Sequence, residues 1–598
     1  MARTQQSLPD SAAASMQYLR LSKAIQRGLN AAMFAEQSGH SYVDLTPDDA
    51  APDDDLLINA LQSANDPLLV QLAQSDPSAA GEQQAAGCLL VLENANRLYL
   101  RRHWLDETAI TKAVADRLQK TQAALQSELA FPVDASVAHA ASALIRHRFA
   151  LVTGGPGSGK TTAAARLALA YVLAAPASFQ RIALAAPTGK AAARLKSAFE
   201  GQFTALRNQL VTAPLHASPE RAVQALSILA QARSFTLHRL LGYRPNQVRK
   251  TLFARHEGDP IDADLVIVDE ASMLSLELMQ RLLAALHPDC ALLLMGDAAQ
   301  LPAVHCGRPF ADLVDALKSH PSQPLAILTA QWRAQPELAA AAESVRTLNP
   351  EVPSELGDCL QRLAPFFTVP HTNEFGAGFP SGALTSVLLQ LSASGAFDAL
   401  LQAKSLAEAW QAAQAQRILT PLKHGPQGQL ALNQVLESAI LTRFPRKLVI
   451  LNRQRFYAGK ILISTQNDAV LGLFNGDVLL AWPDEHGELM LWFEQDGALQ
   501  SLAPGLAKGL ESAFVLTVHK AQGSEFQRID LLLPAMQMLE NNALFDSALL
   551  YTAITRARET LYLHGDSATL RHALCSRTKR NSGLAERLQK LLRRNPTY

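Results

Sequence analysis

Residues 151–162 read LVTGGPGSGKTT, and no other stretch of the chain restricts its fold as tightly. An apolar strand, Phe149 to Thr153, runs into a glycine loop, then Lys160 and Thr161, then an alanine-rich helix. This is G-x-x-x-x-G-K-T with a strand before it and a helix after it, the context a phosphate-binding loop requires. The spacing follows from the chemistry. The loop Gly154, Gly155, Pro156, Gly157, Ser158, Gly159 can curl its backbone N–H groups around phosphate oxygens, where Cβ atoms would block the approach. The helix N-terminus adds partial positive charge. Lys160 reaches the β- and γ-phosphates, Thr161 offers a hydroxyl to Mg²⁺, and Thr162 extends the cradle. A nucleoside triphosphate is implied; the use of its energy is not.

At 598 residues the chain is too long for a single core. Lys plus Arg equals Asp plus Glu, 54 against 54, so any nucleic-acid track must be a local patch rather than a property of net charge. Cys88, Cys290, Cys306, Cys359 and Cys575 are scattered without CxxC pairs, which argues against a zinc or iron–sulfur ligand set and against a disulfide framework. The opening MARTQQSLPDSAAASM has no apolar signal core, and no run of about 18 apolar residues follows. The expectation is a cytoplasmic protein without a membrane span.

Three domains are expected: 1–125, 126–335 and 336–598. In the first, residues 17–45 read as helical, 46–55 (TPDDAAPDDD) as a solvated loop, and 88–93 with 97–102 as a strand pair. In the second, ALVTG (150–154), RIALAAP (181–187), DLVIVDE (264–270) and ALLLMGD (291–297) are continuous apolar runs suited to a parallel sheet covered on both faces. TAPLHASP (212–219) reads as an insertion or loop, and residues 349–385 as irregular connection. A second α/β unit starts at RILTP (417–421). Short strands broken by NGD (475–477) and PDEHG (483–487) mark a small β-barrel inserted at about 446–512. The basic tail (Arg577, Lys579, Arg580, Arg587, Lys590, Arg593, Arg594) reads as a DNA contact or, in preference, a solvated helix face. The fold class is therefore α/β: two parallel-sheet P-loop units, a mixed N-terminal domain and a β insertion.

Other residues complete the chemistry. Asp269 and Glu270 end the strand LVIVDE, where the first carboxylate suits the Mg²⁺ shell and the second can orient an attacking water. Gln300 follows the next strand, and its amide can bridge a γ-phosphate to a neighbouring domain. Arg333 and Arg556 lie outside the first α/β unit and are candidates for arginines that neutralise transition-state charge from across a cleft.

GGPGSGKTT, APTGKAA (186–192), TLHRLLG (236–242), VDEASML (268–274), GDAAQLPAV (296–304), TVHKAQGSEF (517–526) and YTAITRAR (551–558) occur in the order found in superfamily 1 helicases, and specifically resemble the RecD type. LENANRLYLRRHW (92–104) is similar to that family's N-terminal domain, and NDAVLGLFNGDV (467–478) to its lead into an inserted SH3-like barrel. About 150 residues precede the P-loop, without helix–hairpin–helix repeats, so the chain resembles the alpha subunits of exodeoxyribonuclease V (RecBCD) rather than the stand-alone forms. The resemblance implies an ATP- and Mg²⁺-dependent 5′→3′ DNA helicase or translocase acting at double-strand ends on single-stranded DNA. RecB and RecC would be partners, docked through the N-terminal domain, with the nuclease centre on RecB. It implies DNA-backbone contacts from Thr188 and His238 in the first motor and Thr517 and His519 in the second, with turn or capping roles as the alternative. A translocase that does not unwind, or an assembly subunit without ATPase activity, are the rival functions. One departure stands out. Related helicases place an adenine-contacting glutamine about 17 residues before the P-loop; Val137 lies near that position here, and no glutamine occurs from Ser127 to Phe179. Adenine selectivity therefore lacks its usual side chain.

Overall fold

A computed structural model describes residues 23–45, 59–62, 68–72, 87–120, 135–175, 179, 181–212, 219–244, 252–329, 335–367, 383–451, 453–468, 470–495, 497–536, 545–577 and 580–594. The acidic stretch 46–55, most of the 212–219 loop, Lys579 and Arg333 lie outside these residues.

The N-terminal unit opens with helix α1 (Lys23–Gln37). Residues 42–44, expected as helix, form instead the strand β1 (Tyr42–Asp44). Gly39, at φ +85°, turns the chain between them, a conformation that ends a helix and that only glycine takes without strain. β1 joins β2 (Leu69–Leu72), β3 (Leu90–Glu93) and β4 (Arg97–Leu100) in a sheet ordered β1-β4-β3-β2. The β3–β4 hairpin is the expected strand pair, antiparallel with Leu90 opposite Leu100. Helix α2 (Arg101–Gln119) leaves this sheet directly and buries Ile110, Val114 and Leu118 against the next unit.

The first α/β unit is a six-stranded parallel sheet ordered β10-β5-β9-β8-β6-β7. Its strands are β5 (Phe149–Gly154), β6 (Ile182–Ala186), β7 (Arg233–Thr236), β8 (Leu265–Val268), β9 (Ala291–Gly296) and β10 (Leu325–Leu328). β6, β8 and β9 are buried along their whole length, which is why they read as unbroken apolar runs. One face carries α3 (Ala135–His147), α4 (Lys160–Ala174) and α5 (Gly189–Glu200); Val137 is in this core, 4% exposed. The other face is covered by α2, by α6 (Pro309–Leu317) and, unexpectedly, by the last helix of the chain. Each fully buried Leu, Ile or Val contributes roughly 1.5–3 kcal/mol.

The second α/β unit holds α7 (Pro336–Thr347), β11 (Gln416–Thr420), β19 (Val515–Thr517), β20 (Phe526–Leu532), α8 (Ser547–Ile554), β21 (Ala557–His564) and α9 (Ser567–Cys575). Its sheet is parallel, ordered β19-β11-β20-β21. Between β11 and β19 lie a ribbon, β12 (Val449–Leu451) with β13 (Gln454–Phe456), and five antiparallel strands: β14 (Ile461–Ser464), β15 (Val478–Pro483), β16 (Leu489–Gln495), β17 (Ala498–Leu502) and β18 (Leu510–Ser512). They pair in the order β17-β16-β15-β14-β18, so β17 and β18 are edges among the described residues. The stretch 349–385 is not wholly irregular. Pro353–Leu363 is a helix that buries Leu356, Cys359 and Leu363, a spacing of three and four that the surrounding prolines and glycines mask.

The basic tail also differs from expectation. After α9 the chain returns to the first unit, where α10 (Leu584–Arg594) buries Leu584 and Leu588 beside α2. Arg587 is 1% exposed, its guanidinium 2.9 Å from Glu93 Oε1 and stacked 5.0 Å from the Tyr99 ring centroid. Lys590, Arg593 and Arg594 keep the solvated face. Tail residues with equal charge thus divide by which neighbour covers them, and charge counting does not carry that information. Among the described residues, no helix is long and apolar enough to cross a membrane.

Candidate active site

The phosphate-binding loop forms because β5 is held on both sides, by β9 and β10, and ends in residues a side chain would obstruct. A Cβ on Gly154 would stand 2.6 Å from Ser158 Oγ and 2.8 Å from the Leu328 carbonyl. Gly157 and Gly159 have φ of +74° and +88°, and the second leads straight into α4. The Lys160 ammonium folds back over the loop, donating to the carbonyls of Gly154 (2.8 Å) and Gly155 (3.0 Å). Thr161 and Thr162 occupy the first turn of α4, at the positive end of its dipole.

Asp269 emerges from β8 beside this loop, its N–H bonded to the Ala185 carbonyl at 2.9 Å. Burial and the adjacent Glu270 charge push its carboxyl up to about 6, against the pull of Lys160 and Arg194. Two carboxylates in a desolvated cleft favour a cation, and a Thr161 hydroxyl with one carboxylate is a fitting donor set for Mg²⁺, which takes its other ligands from water and phosphate. Glu270 sits at φ +52°, a left-handed conformation that costs a non-glycine residue about 1–3 kcal/mol and is characteristic of functional sites.

Gln300 is 6% exposed and donates to Asp297 Oδ2 at 3.1 Å. The same oxygen accepts from Tyr551 Oη of the second unit at 2.8 Å. The loop continues across the boundary: Leu301 N donates to Thr552 Oγ1 (2.9 Å), and Gln522 Nε2 donates to the Leu301 carbonyl (3.0 Å). Arg556, 1% exposed, is anchored by the carbonyls of Thr552 (3.1 Å) and Ser524 (3.2 Å). A cleft of about 220 Å³ is lined by Lys160, Thr161, Asp269, Glu270 and Gln300 from the first unit and by Gly523, Glu525 and Arg556 from the second. Residues 286 positions apart in the chain, Glu270 and Arg556, thus face one space.

Arg194 and Glu525 also line this cleft, and sequence reasoning did not single them out. Arg194, on α5, pairs with Glu525, which also accepts from Arg558 Nε at 2.9 Å. These arginines hold the Glu525 carboxyl down at about 2, although burial pulls it upward. Glu525 sits inside the motif TVHKAQGSEF (517–526) and Arg194 two residues beyond APTGKAA (186–192), but only the folded chain shows that they pair.

The four expected DNA contacts lie at or just after the C-terminal ends of parallel strands, β6, β7 and β19. Thr188 follows β6 and caps α5, accepting from Ala191 N at 3.2 Å; Thr517 ends β19 and accepts from Lys520 N at 3.3 Å. A Cβ on Gly523 would lie 3.9 Å from Thr188 Oγ1, so the two motors meet at this point. His238 lies edge-on to Tyr243, 5.2 Å between centroids, beside Phe253. Burial lowers the pKa of both His238 and His519, and the Arg580 charge adds to this at His519.

Residues 138–306 match the AAA domain family model, and residues 512–564 match the UvrD-like helicase C-terminal domain. The chain is 32% identical over 506 residues to the RecBCD enzyme subunit RecD of Mycolicibacterium smegmatis, covering 82% of each protein. It is 28% identical over 544 residues to the same subunit of Haemophilus influenzae, covering 83% of this chain and 80% of the relative. It is 29% identical to the ATP-dependent RecD2 DNA helicase of Deinococcus radiodurans, over 81% of this chain and 54% of that protein. Motifs, cleft and similarity over about four fifths of the chain agree: this chain belongs to the RecD family of RecBCD enzyme subunits, within the superfamily 1 helicases.

Proposed function

We propose that this chain is an ATP-dependent DNA helicase subunit of a RecBCD-type helicase–nuclease, moving 5′→3′ on single-stranded DNA at double-strand ends in the cytoplasm. The carrying observation is the cleft whose walls come from two α/β units, with Lys160, Asp269, Glu270 and Gln300 facing Arg556. Lys160 and the loop amides take the phosphates. Thr161 and Asp269 would hold Mg²⁺, which when bound neutralises charge on the phosphate oxygens. Glu270 orients the attacking water. Gln300 and Arg556, with Arg333 as a further candidate, stabilise charge at the γ-phosphate. Closure around ATP and reopening after hydrolysis alternately tighten the grips at Thr188 and His238 and at Thr517 and His519 on the DNA backbone. Such contacts fix position without reading sequence. Separating one base-pair step costs about 1.4 kcal/mol on average, so small steps per ATP are energetically sensible. RecB and RecC are the proposed partners, with the nuclease centre on RecB.

The test is Lys160→Gln, assembled with RecB and RecC subunits and assayed on 5′-tailed forked duplexes. Loss of DNA-stimulated ATP hydrolysis and of this chain's unwinding, in a folded complex, is expected. Near-normal hydrolysis by the variant overturns the site assignment. Translocation without strand separation by the wild type favours the translocase reading instead.

A further inference from the structure

The returning tail places an arginine against the loop that follows Gln300. Arg580 Nη1 lies within hydrogen-bond distance of three carbonyls of that loop: Ala303 at 2.8 Å, His305 at 3.0 Å and Gly307 at 2.9 Å. Three carbonyls converging on one guanidinium is a strong electrostatic hold, because each dipole points its negative end at a full charge. The same loop is sewn to the N-terminal unit. Gly307 N donates to the Gly39 carbonyl at 2.9 Å, and Cys306 Sγ to the His40 carbonyl at 3.1 Å. Gly39 makes room for this arrangement, since a Cβ there would stand 2.7 Å from Arg580 Cζ. The next residue, Asn581, is fixed by Ser41 N (2.9 Å to its carbonyl) and by His40 Nδ1 (2.9 Å from its N–H). Arg580, Asn581 and Ser582 form one wall of a cavity of about 720 Å³ whose other walls include Gly154, Gly155 and Asp297.

Residues 300–307 are therefore gripped from two sides. Thr552 and Gln522 of the second motor hold Leu301, and Arg580 holds positions 303–307. Gln300, between Asp297 and this loop, has its backbone set by both. We propose that Arg580 is a positioning residue for ATP hydrolysis: it acts through the 303–307 loop to hold Gln300 at the γ-phosphate, and so wires the N-terminal unit to the ATPase cleft. The inference rests on the reading of Gln300 as a γ-phosphate contact.

A double-mutant cycle on the full chain tests it. Arg580→Ala is expected to lower kcat of DNA-stimulated hydrolysis by about tenfold, with affinity for a fluorescent ATP analogue within about twofold, because the loop matters in the transition state and not in ground-state binding. Arg580→Lys, which keeps a cation but loses the planar fork, is expected to fall between the two and carries the cycle if the alanine variant does not fold. Added to Gln300→Ala, either Arg580 change is expected to cost less than a further twofold. A full multiplicative loss on the Gln300→Ala background, or equal losses of kcat and analogue binding, overturns the proposal while leaving the Gln300 reading intact. An unimpaired Gln300→Ala variant overturns both.

Discussion

Arg194 of the first α/β unit and Glu525 of the second form an ion pair across the ATP cleft, and Glu525 simultaneously accepts from Arg558 at 2.9 Å. The Glu525 side chain is 8% exposed, so the pair is protected from solvent screening on that side. Arg194 also lies within electrostatic reach of Asp269 and Glu270, which raise its pKa. Arg194 thus answers to carboxylates on both motors. Arg194→Ala and Glu525→Gln are each expected to slow DNA-stimulated hydrolysis several-fold. The double variant should be no slower than the worse single variant, with a coupling of roughly 0.5–3 kcal/mol. Steady-state ATPase measurements on the four proteins check this, and strictly additive losses would refute the coupling.

The same carboxylate has a pH signature. Glu525 is held at about 2, below its ordinary value of 4.5. A depressed carboxylate contributes stability that is fully present above about 4.5 and is lost as pH falls toward about 2. The unfolding-midpoint difference between wild type and Glu525→Gln is therefore expected to be constant at neutral pH and to shrink between pH 4.5 and 2. A difference that grows on acidification contradicts the assignment.

Arg556 is buried and held by two carbonyls, so its guanidinium cannot be replaced by a longer reach from elsewhere. Arg556→Ala is expected to reduce kcat by about 10³. Arg556→Lys should recover little, because an ammonium cannot reproduce the planar fork. Single-turnover hydrolysis separates this loss from nucleotide binding.

Thr188 and Thr517 offer neutral hydroxyls. Thr188→Val and Thr517→Val are expected to weaken single-stranded DNA binding by about 0.5–1.5 kcal/mol each, equally for all sequences. The slope of affinity against salt should stay unchanged, since no cation is removed. Thr188→Ser keeps the hydroxyl, and with it both the cap on α5 and the proposed contact, so it should bind as the wild type does, while thermal denaturation of Thr188→Val reads the loss of the cap by itself. A changed salt slope in fluorescence-anisotropy titrations would count against these contacts.

Arg587 is surrounded by Glu93 (2.9 Å), Glu107 (3.7 Å), Tyr99 and Trp104, all buried. Arg587→Ala leaves two buried carboxylates without their counter-charge, and about 3–5 kcal/mol of stability is the expected loss. Thermal denaturation measures it, and limited proteolysis should show α10 released first.

Much of the cleft was legible in the chain because its parts are local. The loop Gly154–Thr161 needs glycines at particular backbone angles, and the two that adopt positive φ, Gly157 and Gly159, are part of the recognisable spacing. Asp269 and Glu270 end a strand whose burial on both faces makes it an unbroken apolar run. The helix at Pro353–Leu363 was hidden because its neighbours are rich in proline and glycine, and a short apolar period is easily lost there. Arg194, Glu525 and Arg580 were not legible as a group, since a lone arginine or glutamate has no period and its partner is set by packing hundreds of residues away.

A phosphate-binding loop, a carboxylate pair and a second α/β unit can be read from the order of residues, because each is encoded by nearest-neighbour stereochemistry and by strand burial. Which charges meet is set by packing: Arg556 and Glu525 close the cleft opened by Lys160, Arg580 is bound to the carbonyls of the 303–307 loop, and Arg587, in a tail that reads as solvated, is buried. The physical reason is that backbone geometry is a local property, whereas the stability of a buried charge depends on the partners that folding brings to it.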